Sequence, residues 1–448
     1  MTIKPKQNPL NDLDFDTRAT YVIEQLIAHI LIPLAMVLLL LRSRKEPAHL
    51  QNLLHRMGFG PVGPKKSIWV FAASLGETRA ASPLILRLRS EGFNIVLTHQ
   101  SPAGFNEGTR LFSEDIGVTQ CYVPLDLFWT IRIFLRRSKP LALIIMEIEI
   151  WPAMIIETAC KGIPVIMANG NLLEKSISKK NYIRRKINNI YQVFSHIFTR
   201  DNSYFDRYVK IGVNPLQLSV VGELKFDQLI DPAHLLLGER LRRQIKGAKR
   251  VLMIASSVEA EEHILLPMVA RLLAADPGLR IVWAPRSPQR FQAVADALSL
   301  MGINVAQRSA LGAQPETFNL KTQVLVGDSI GEMNAYYILA DLVFVGASLV
   351  DHGGHNIVEP MVLGRPVIMG PSTYGIDFSA VPAGIAGAFE SLENSTALEA
   401  RIVTLLKKPD TLKKMATAAK GFAAGKTGAA VKTCNGIKDL LYPTTQSK

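Results

Sequence analysis

The chain is short of cysteine and of aromatic residues, and each shortage excludes a class of protein. Its 448 residues contain three cysteines, Cys121, Cys160 and Cys434. They lie too far apart for a metal-ligand motif, which argues against a disulfide scaffold or a zinc module and favours a reducing compartment. Aromatic residues make up 7% of the chain. No zinc-finger, helix-turn-helix or RNA-recognition signature is present, so we expect neither a metal nor a nucleic-acid partner.

What the chain has in excess is positive charge. It carries 51 lysines and arginines against 38 aspartates and glutamates, a formal net charge of +13. Such an excess calls for an anionic partner. Hydrophobic residues make up 48% of the sequence, enough for a large core. Since nothing points to nucleic acid, an anionic membrane surface or an acidic lipid is the better candidate.

An apolar run near the N-terminus supports the membrane interpretation. Residues 26–41 read LIAHILIPLAMVLLLL, and Arg42, Arg44 and Lys45 follow directly. The run predicts an N-terminal anchor over residues 1–48, either a transmembrane helix or a helix lying in the interface or against the protein. A cleavable signal peptide is not expected, because no small-residue cleavage site follows. The basic flank places the rest of the chain on the cytoplasmic face.

Beyond the anchor, apolar strands alternate with turns and helices in two successive rounds. Strands that are buried on both faces and separated by helices predict parallel, doubly wound α/β sheets. The first round predicts strands at residues 68–72, 94–97, 120–123, 141–146, 164–167 and 219–221. The second round predicts strands at residues 251–255, 280–284, 304–307, 324–326, 342–345 and 366–369.

A linker around Pro232 divides these two rounds. The prediction is therefore two Rossmann-like domains, residues 49–230 and 231–448, the second ending in helices. We expect the two domains to face a cleft and to bind their ligand there, at the carboxyl ends of the strands.

The segment from Val324 to Pro371 is the most informative for function. Its turn Gly353-Gly354-His355-Asn356 leads into a helix that carries Glu359 on its first turn. Glycines allow close approach of the backbone to a ligand, and a helix N-terminus offers N–H groups to an anion. An acid one turn later suits hydroxyl or amine groups. The combination indicates a nucleotide-sugar site.

Acids at strand ends in the first domain are the candidate catalytic groups. Glu77 lies where a strand gives way to a helix, so it is either a general base or an acid that complements the helix dipole. Glu147 and Glu149 end a later strand, and we expect one to be functional and the other to cap the next helix. Lys225 offers positive charge to a carboxylate or phosphate, or is an ordinary surface lysine. In the second domain Arg286 suits a phosphate, or a salt bridge in a loop.

Together these segments resemble the 3-deoxy-D-manno-octulosonic acid (Kdo) transferases, which attach Kdo to the lipid A precursor. The resemblance runs from the N-terminal anchor to about Asp377. The matching segments are ASLGE (73–77), MEIEIWP (146–152), GELKFD (222–227), APRSPQRF (284–291), DSIGEM (328–333) and GGHNIVEP (353–360).

The resemblance implies a GT-B fold and a function in lipopolysaccharide inner-core biosynthesis at the bacterial inner membrane. Kdo would pass from CMP-Kdo to an anionic lipid A precursor with inversion, without a metal or a separate cofactor. It implies that Glu77 is the general base and that Glu147 and Lys225 stabilise the transition state. The implied CMP pocket consists of Pro285, Arg286, Ile330, Gly331, Glu332, Asn356, Ile357, Val358 and Glu359.

Eight positions differ from the pattern usual in that family, which makes this chain a divergent member. Phe71, Val258, Ser287 and Ser372 stand in place of histidines, Asn171 and Leu173 in place of arginine and serine, and Ala347 and Asp351 in place of glycine and proline. Two alternatives follow. One is a GT-B transferase with another nucleotide sugar or glycolipid acceptor, and the other is a non-catalytic membrane-bound paralogue.

Overall fold

A computed structural model describes residues 15–44, 52–172, 174, 177, 189–245, 248–311 and 322–443. The chain divides into two compact units, one formed by Met1–Gln228 with Thr427–Lys448 and the other by Leu229–Lys426. The sequence also contains a basic run that predicts a surface near the acceptor and the lipid headgroups, or a solvated helix face. Its residues Lys175, Lys179, Lys180, Arg184, Arg185 and Lys186 lie outside the described residues.

The first unit is built on a parallel sheet of seven strands in the order β3-β2-β1-β4-β5-β6-β7. These strands are β1 (Ile68–Phe71), β2 (Ile95–His99), β3 (Val118–Tyr122), β4 (Ala142–Met146), β5 (Val165–Gly170), β6 (His196–Thr199) and β7 (Leu218–Val220). The helices are α1 (Phe15–Ser43), α2 (Leu75–Ser90), α3 (Pro102–Phe112), α4 (Phe128–Ser138), α5 (Pro152–Ala159) and α6 (Asn202–Lys210). Short helical turns lie at His55–Phe59, Tyr191–Val193, Pro215–Gln217 and Leu224–Asp227.

Alternation of side chains along the central strands gives this sheet a core on each face. In β1, Trp69 and Phe71 belong to one hydrophobic cluster, whereas Ile68 and Val70 belong to a second cluster. All four side chains are fully buried. A strand that is covered on both sides has no polar face, which is why β1 reads as a continuous apolar run.

The second unit repeats this plan with the strand order β10-β11-β9-β8-β12-β13-β14. Its strands are β8 (Arg250–Ser257), β9 (Leu279–Pro285), β10 (Val305–Gln307), β11 (Val324–Val326), β12 (Leu342–Val345), β13 (Val367–Met369) and β14 (Phe389–Ser391). Its helices are α7 (Pro232–Gln244), α8 (Glu259–Ala275), α9 (Phe291–Leu300), α10 (Met333–Leu339), α11 (Val358–Val362), α12 (Asp377–Ile385), α13 (Ser395–Lys407) and α14 (Pro409–Ala424). Short turns lie at Pro288–Arg290 and Ser309–Leu311. The predicted class, two doubly wound parallel sheets, is confirmed.

The last helix, α15 (Ala429–Leu441), departs from the predicted division at residue 231. It packs on the first unit, where the Asp227 carboxylate accepts hydrogen bonds from the backbone N–H groups of Gly428 and Ala430, both at 2.6 Å. Ala429, Cys434 and Ile437 are buried in one core of the first sheet. The chain thus returns to its first unit after completing the second.

Helix α1 contacts the first unit along one stripe of side chains. The Tyr21 hydroxyl donates to Glu157 at 3.2 Å, the Gln25 amide bonds to backbone groups of Asp126 and Phe128, and His29 Nε2 accepts from the Trp129 indole. The spacing of four residues is the repeat of one helix face. Several apolar side chains elsewhere on the helix are exposed, with Leu26 61% and Ile30 76% accessible. No helix within the described ranges has both the length and the apolar character needed to cross a bilayer.

Candidate active site

The first group of predicted site residues lies at the carboxyl edge of the first sheet, with Glu77 on the first turn of α2, the helix that follows β1. Ser74 caps this helix, since its hydroxyl accepts the Glu77 backbone N–H at 3.3 Å. The Glu77 carboxylate accepts the Ala73 N–H at 2.8 Å and the Ser74 hydroxyl at 3.1 Å. These two hydrogen bonds hold the Glu77 carboxylate in one orientation at the start of α2.

The electrostatics of Glu77 go beyond those of a capping acid. Burial raises its pKa to about 7, against the lowering effect of the Ala73 hydrogen bond, and the negative charges of Glu149 and Glu147 raise it further. A carboxylate with a pKa near neutrality can accept a proton efficiently at physiological pH. Fixed orientation and a raised pKa are the two properties that a general base requires.

Glu147 has the opposite electrostatic character. It lies directly after β4 in the left-handed conformation, with φ at 60°. Burial alone would raise its pKa, but Lys225 Nζ at 3.3 Å and Arg200 Nη2 at 3.0 Å overcome this effect and lower the pKa to about 2. Glu147 is thus ionised at neutral pH, and the structure places it beside Lys225.

Three further polar residues of this network were missed at the sequence level. Arg200, 3% exposed in its side chain, also pairs with Glu223 at 2.9 Å. The Asn169 amide donates to Glu223 at 2.8 Å and approaches Glu147 at 3.4 Å. Arg200 directly follows β6, and Asn169 is the last residue but one of the neighbouring strand β5, so their positions at strand ends were the available signal.

Glu149 does not cap the helix that follows it, contrary to the prediction. Its carboxylate accepts the Trp151 indole N–H at 2.7 Å. The N-terminus of α5 is instead capped by Asp126, which accepts the N–H groups of Ala153 at 3.2 Å and Met154 at 2.8 Å. Asp126 lies in the turn between β3 and α4, and from there its carboxylate reaches the first N–H groups of α5. Glu149 remains close enough to Glu77 to raise the pKa of Glu77.

The second group of predicted residues lies at the carboxyl edge of the second sheet. Pro285 ends β9 and is buried, while the Arg286 side chain is exposed and its backbone N–H bonds to Ser257 at 2.9 Å. No carboxylate pairs with Arg286 among the residues that the structure describes. Arg290, one turn later, is by contrast held by Glu259 at 2.9 Å and by Glu262. Arg286 is the arginine of this segment that is open to a ligand.

The predicted segment 330–332 follows β11. Gly331 has φ at 98°, a conformation that side-chain-bearing residues rarely adopt. The Ile330 side chain is 70% exposed. Glu332 is engaged by Arg308 at 2.9 Å and by the Ser329 hydroxyl at 2.6 Å. Glu332 therefore helps to shape this turn, and Ile330 offers the apolar surface.

The predicted segment 356–359 contributes to the site in two different ways. Asn356 Oδ1 accepts the Val358 N–H at 2.9 Å, so one of the N–H groups that we reserved for an anion is already used. The side chains of Ile357 and Val358 are 0% and 1% exposed and face the core, which leaves their backbone groups as the possible ligand contacts. Glu359 is half-buried on the first turn of α11.

Two histidines on the preceding turn were not singled out by the sequence analysis. Burial, with the positive charges of Arg286 and His352, lowers the pKa of His355 to about 4, so its imidazole is neutral at pH 7. Arg286 and the exposed His352 thus both act electrostatically on His355. The position of these histidines beside the Gly353-Gly354 turn was the available signal in the sequence. His355 adds a neutral polar group to the second sheet edge, which also carries Arg286.

Two doubly wound parallel sheets in succession are the architecture of glycosyltransferases of the GT-B fold. A sequence model described as 3-deoxy-D-manno-octulosonic-acid transferase matches residues 51–228, and one described as glycosyl transferases group 1 matches residues 286–422.

Comparison with curated proteins narrows this class. The chain is 31% identical over 417 residues to 3-deoxy-D-manno-octulosonic acid transferase of Haemophilus influenzae, covering 92% of this chain and 95% of the relative. It is 33% identical over 383 residues to the enzyme of that name from Bordetella pertussis, covering 84% and 87%. The chain belongs to the Kdo transferase family.

Solved structures support the fold alone. A glycosyltransferase from Rickettsia africae superposes with a TM-score of 0.57 at 13% identity, covering 85% of this chain and 100% of that one. UDP-GlcNAc 2-epimerase from Neisseria meningitidis superposes with a TM-score of 0.59 at 12% identity, covering 83% and 99%. At such identities the likeness concerns the arrangement of strands and helices, and the site residues of this chain stay predictions.

Proposed function

We propose that the protein transfers Kdo from CMP-Kdo to a lipid A precursor in lipopolysaccharide inner-core biosynthesis. The proposal rests on two carboxylates at the carboxyl edge of the first sheet in this member of the Kdo transferase family. The pKa of one is raised towards neutrality, whereas the other is ionised at neutral pH. Glu77, with a pKa of about 7, is suited to take up a proton. Glu147, with a pKa of about 2, is suited to stay charged.

In the proposed reaction Glu77 removes the proton from a sugar hydroxyl of the acceptor. The hydroxyl oxygen forms a bond to the anomeric carbon of Kdo while the bond from that carbon to the CMP phosphate oxygen breaks. CMP leaves with the bonding electrons, the configuration inverts, and the proton stays on the Glu77 carboxylate until solvent removes it. Glu147 and Lys225 stabilise the charge that develops in the transition state.

The donor nucleotide is assigned to the second sheet edge. The planar guanidinium of Arg286 suits a phosphate because it can donate two parallel hydrogen bonds. The exposed Ile330 and the turn at Gly331 offer a surface for the base, and Glu359 suits ribose hydroxyls. Pro285, Glu332 and the backbone of residues 356–358 complete the proposed pocket.

The acceptor is a lipid, and helix α1 supplies a means of reaching it. We propose that the exposed apolar face of α1 inserts into the cytoplasmic leaflet of the bacterial inner membrane while the Tyr21, Gln25 and His29 stripe stays on the first unit. Leu26 and Ile30 lie on the inserted face. The net charge of +13 favours an anionic leaflet and an anionic acceptor.

Two variants test this attachment. Deletion of residues 1–45 should move the protein from the membrane pellet to the soluble fraction. The double variant Leu26→Asp/Ile30→Asp should do the same while keeping the contacts of the stripe. Leu300→Asp, at a position 90% exposed in the second unit, is the matched control and should leave the distribution unchanged. Retention of the deletion variant in the pellet would show that other surfaces carry the attachment.

The function itself is tested by CMP release from CMP-Kdo, with and without a tetra-acylated lipid A precursor. Acceptor-dependent release is the expected result. CMP binding without release would favour another acceptor or a binding-only paralogue. Absence of CMP binding would remove the proposed donor.

A further inference from the structure

The loop that joins β12 to α11 carries the Gly-Gly-His-Asn turn, and its conformation depends on a residue outside the predicted site. That residue is Glu261, on the first turn of α8, whose side chain is 0% exposed. No cation pairs with this carboxylate within the described part of the chain. A buried charge of this kind is costly unless hydrogen bonds satisfy it.

Backbone amides provide that satisfaction. One oxygen of Glu261 accepts the Ala347 N–H at 2.6 Å, and the other accepts the N–H groups of Ser348 and Leu349, both at 2.8 Å. The Val258 N–H lies 3.3 Å from the first oxygen. Glu261 thus binds three consecutive amides of the loop in the way that a protein nest binds an anion.

The loop needs this support because its first turn is strained. Ala347 has φ at 62°, in the left-handed region that favours glycine, and it is fully buried. Gly346 must be glycine, since a Cβ there would lie 2.6 Å from the Ser257 backbone and 2.9 Å from the Glu261 carboxylate. Such a backbone persists only where the surroundings hold it.

The strained turn is connected directly to the ligand-facing end of the loop. The carbonyl of Gly346 accepts the His355 N–H at 3.3 Å, so the two ends of the loop are joined beside Asn356. The middle of the loop is tied to the end of β13, where the Ser372 hydroxyl accepts the Gly353 N–H at 3.0 Å. A shift at Ala347 would therefore move His355 and Asn356.

We propose that Glu261 is a positioning residue for donor binding, which fixes the β12–α11 loop through its backbone without touching the nucleotide. This inference rests on the proposed function, because it assigns the loop to the donor. Beyond that function, the affinity for the CMP part of the donor would depend on a buried carboxylate on α8, outside the loop itself. A displacement of about 1 Å in such a loop is enough to weaken binding or catalysis severely.

The test is Glu261→Gln in the full-length protein, with CMP as the probe. Glutamine keeps the shape but turns one acceptor into a donor that faces backbone N–H groups. We expect the Kd for CMP to rise about tenfold and the KM for CMP-Kdo to rise more than kcat falls. Hydrogen exchange at the amides of residues 347–349 should be faster than in the unaltered protein.

A second variant separates loop position from general damage. Adding Ala347→Gly to Glu261→Gln relieves the left-handed strain and should restore part of the CMP affinity. Glu261→Asp, whose carboxylate is retracted by about one bond length, should act in the same direction if the glutamine variant does not fold. Glu399→Gln, which removes the partner of the exposed Arg271 in the same unit, is the control and should leave CMP affinity within about twofold.

Two results would overturn the inference while leaving the proposed function intact. One is unchanged exchange at residues 347–349, which would mean that the carboxylate does not hold the loop. The other is faster exchange with CMP affinity within twofold of the unaltered protein, which would mean that the loop does not govern donor binding. If the unaltered protein binds no CMP, the proposed function fails and this inference fails with it.

Discussion

The carboxyl edges of the two sheets share a topology but differ in what they are made of. At the first edge the polar groups are side chains that neutralise one another, with Arg200 and Lys225 between Glu147 and Glu223. At the second edge one buried carboxylate, Glu261, is matched by backbone amides. The first arrangement controls charge, whereas the second controls the shape of a loop.

Strain marks both edges at equivalent places. Glu147 directly follows β4 and Asn169 lies near the end of β5, both with φ near 60°, and Ala347 adopts a similar φ close after β12. Non-glycine residues in this conformation cost about 1–3 kcal/mol each and tend to occur at functional sites. In the first unit the strained residues orient side chains at strand ends, whereas in the second unit the strained residue shapes a loop. This comparison predicts that variants at the first edge affect chemistry and variants at the second affect binding.

The largest effect is expected for Glu77→Gln. Glutamine cannot accept the proton of the acceptor hydroxyl, so kcat should fall by about 10³-fold or more. Steady-state kinetics with CMP-Kdo and the lipid acceptor measure this loss. Because Glu77 belongs to the first edge, the Kd for CMP should stay within about twofold of the unaltered value by calorimetry. Turnover that survives nearly intact would remove Glu77 from the role of base.

The next effect is expected from breaking the buried charge network. Arg200→Gln leaves Glu147 and Glu223 with less compensating charge in a buried place, which should lower the free energy of unfolding by about 3 kcal/mol at pH 7. Arg200 normally helps to depress the pKa of Glu147, and this stabilisation exists above pH 4.5 and is lost as the pH falls towards 2. The difference between variant and unaltered protein should therefore shrink below pH 4.5.

Denaturant titration at several pH values measures this difference. Arg271→Gln is the matched control, because its partner Glu399 forms a pair at the surface, where Arg271 is 59% exposed. It should cost less than about 1 kcal/mol. Equal losses for the two arginines would show that burial of the Arg200 network does not set its importance.

A smaller effect is expected at the second edge for Arg286→Ala. Loss of one charged hydrogen-bonding group should raise the Kd for CMP about 10- to 100-fold. The fold should be unaffected, since the side chain is exposed and has no carboxylate partner in the described residues. Arg290→Ala is the control from the same segment. Its guanidinium is bound by Glu259 and Glu262, so thermal stability should fall while CMP affinity changes little.

Much of the fold was predictable from the sequence because the central strands are buried on both faces. The predicted strands at 324–326 and 342–345 agree with β11 and β12 in every residue. Two strands, β6 and β14, escaped prediction because neither is a continuous apolar run: β6 reads HIFT, with polar residues at both ends, and β14 reads FES, with one buried side chain. The return of α15 to the first unit could not be predicted either. An amphipathic helix shows that it has a partner but not which one.

The site residues that the sequence did not reveal lie at strands that were not predicted or were predicted too short. Arg200 lies directly after the unpredicted β6, and the strand predicted over 164–167 ends before Asn169. Glu147 and Glu77 were found because each lies shortly after a strand that was recognised. Glu261 was hidden for a different reason. It lies on a helix among other acids, and its importance comes from contacts with residues more than 80 positions away in the sequence.

The smallest expected effect is the dependence of kcat/KM of the unaltered protein on pH. It tests the difference in pKa between Glu77 and Glu147 at the first edge. Since Glu77 must be ionised to act as base and its pKa is about 7, kcat/KM should fall about tenfold per unit below pH 7 and level off above it. Glu147, with a pKa of about 2, should contribute nothing to this profile. Glu149→Gln should shift the midpoint towards acid, because it removes a negative charge that disfavours ionised Glu77. A midpoint near 4.5 in the unaltered protein would mean that Glu77 is an ordinary solvated acid.

Stability provides an independent measurement of the same group. Between pH 4.5 and 7 the folded protein binds more protons at Glu77 than the unfolded chain does, so the free energy of unfolding should decrease as the pH rises through this window. Glu77→Gln has no such proton to lose, so its stability should vary less between pH 5 and pH 8. Parallel stability curves for the two proteins would show that the pKa of Glu77 is not raised, and the first edge would then lack the poised acid that distinguishes it from the second.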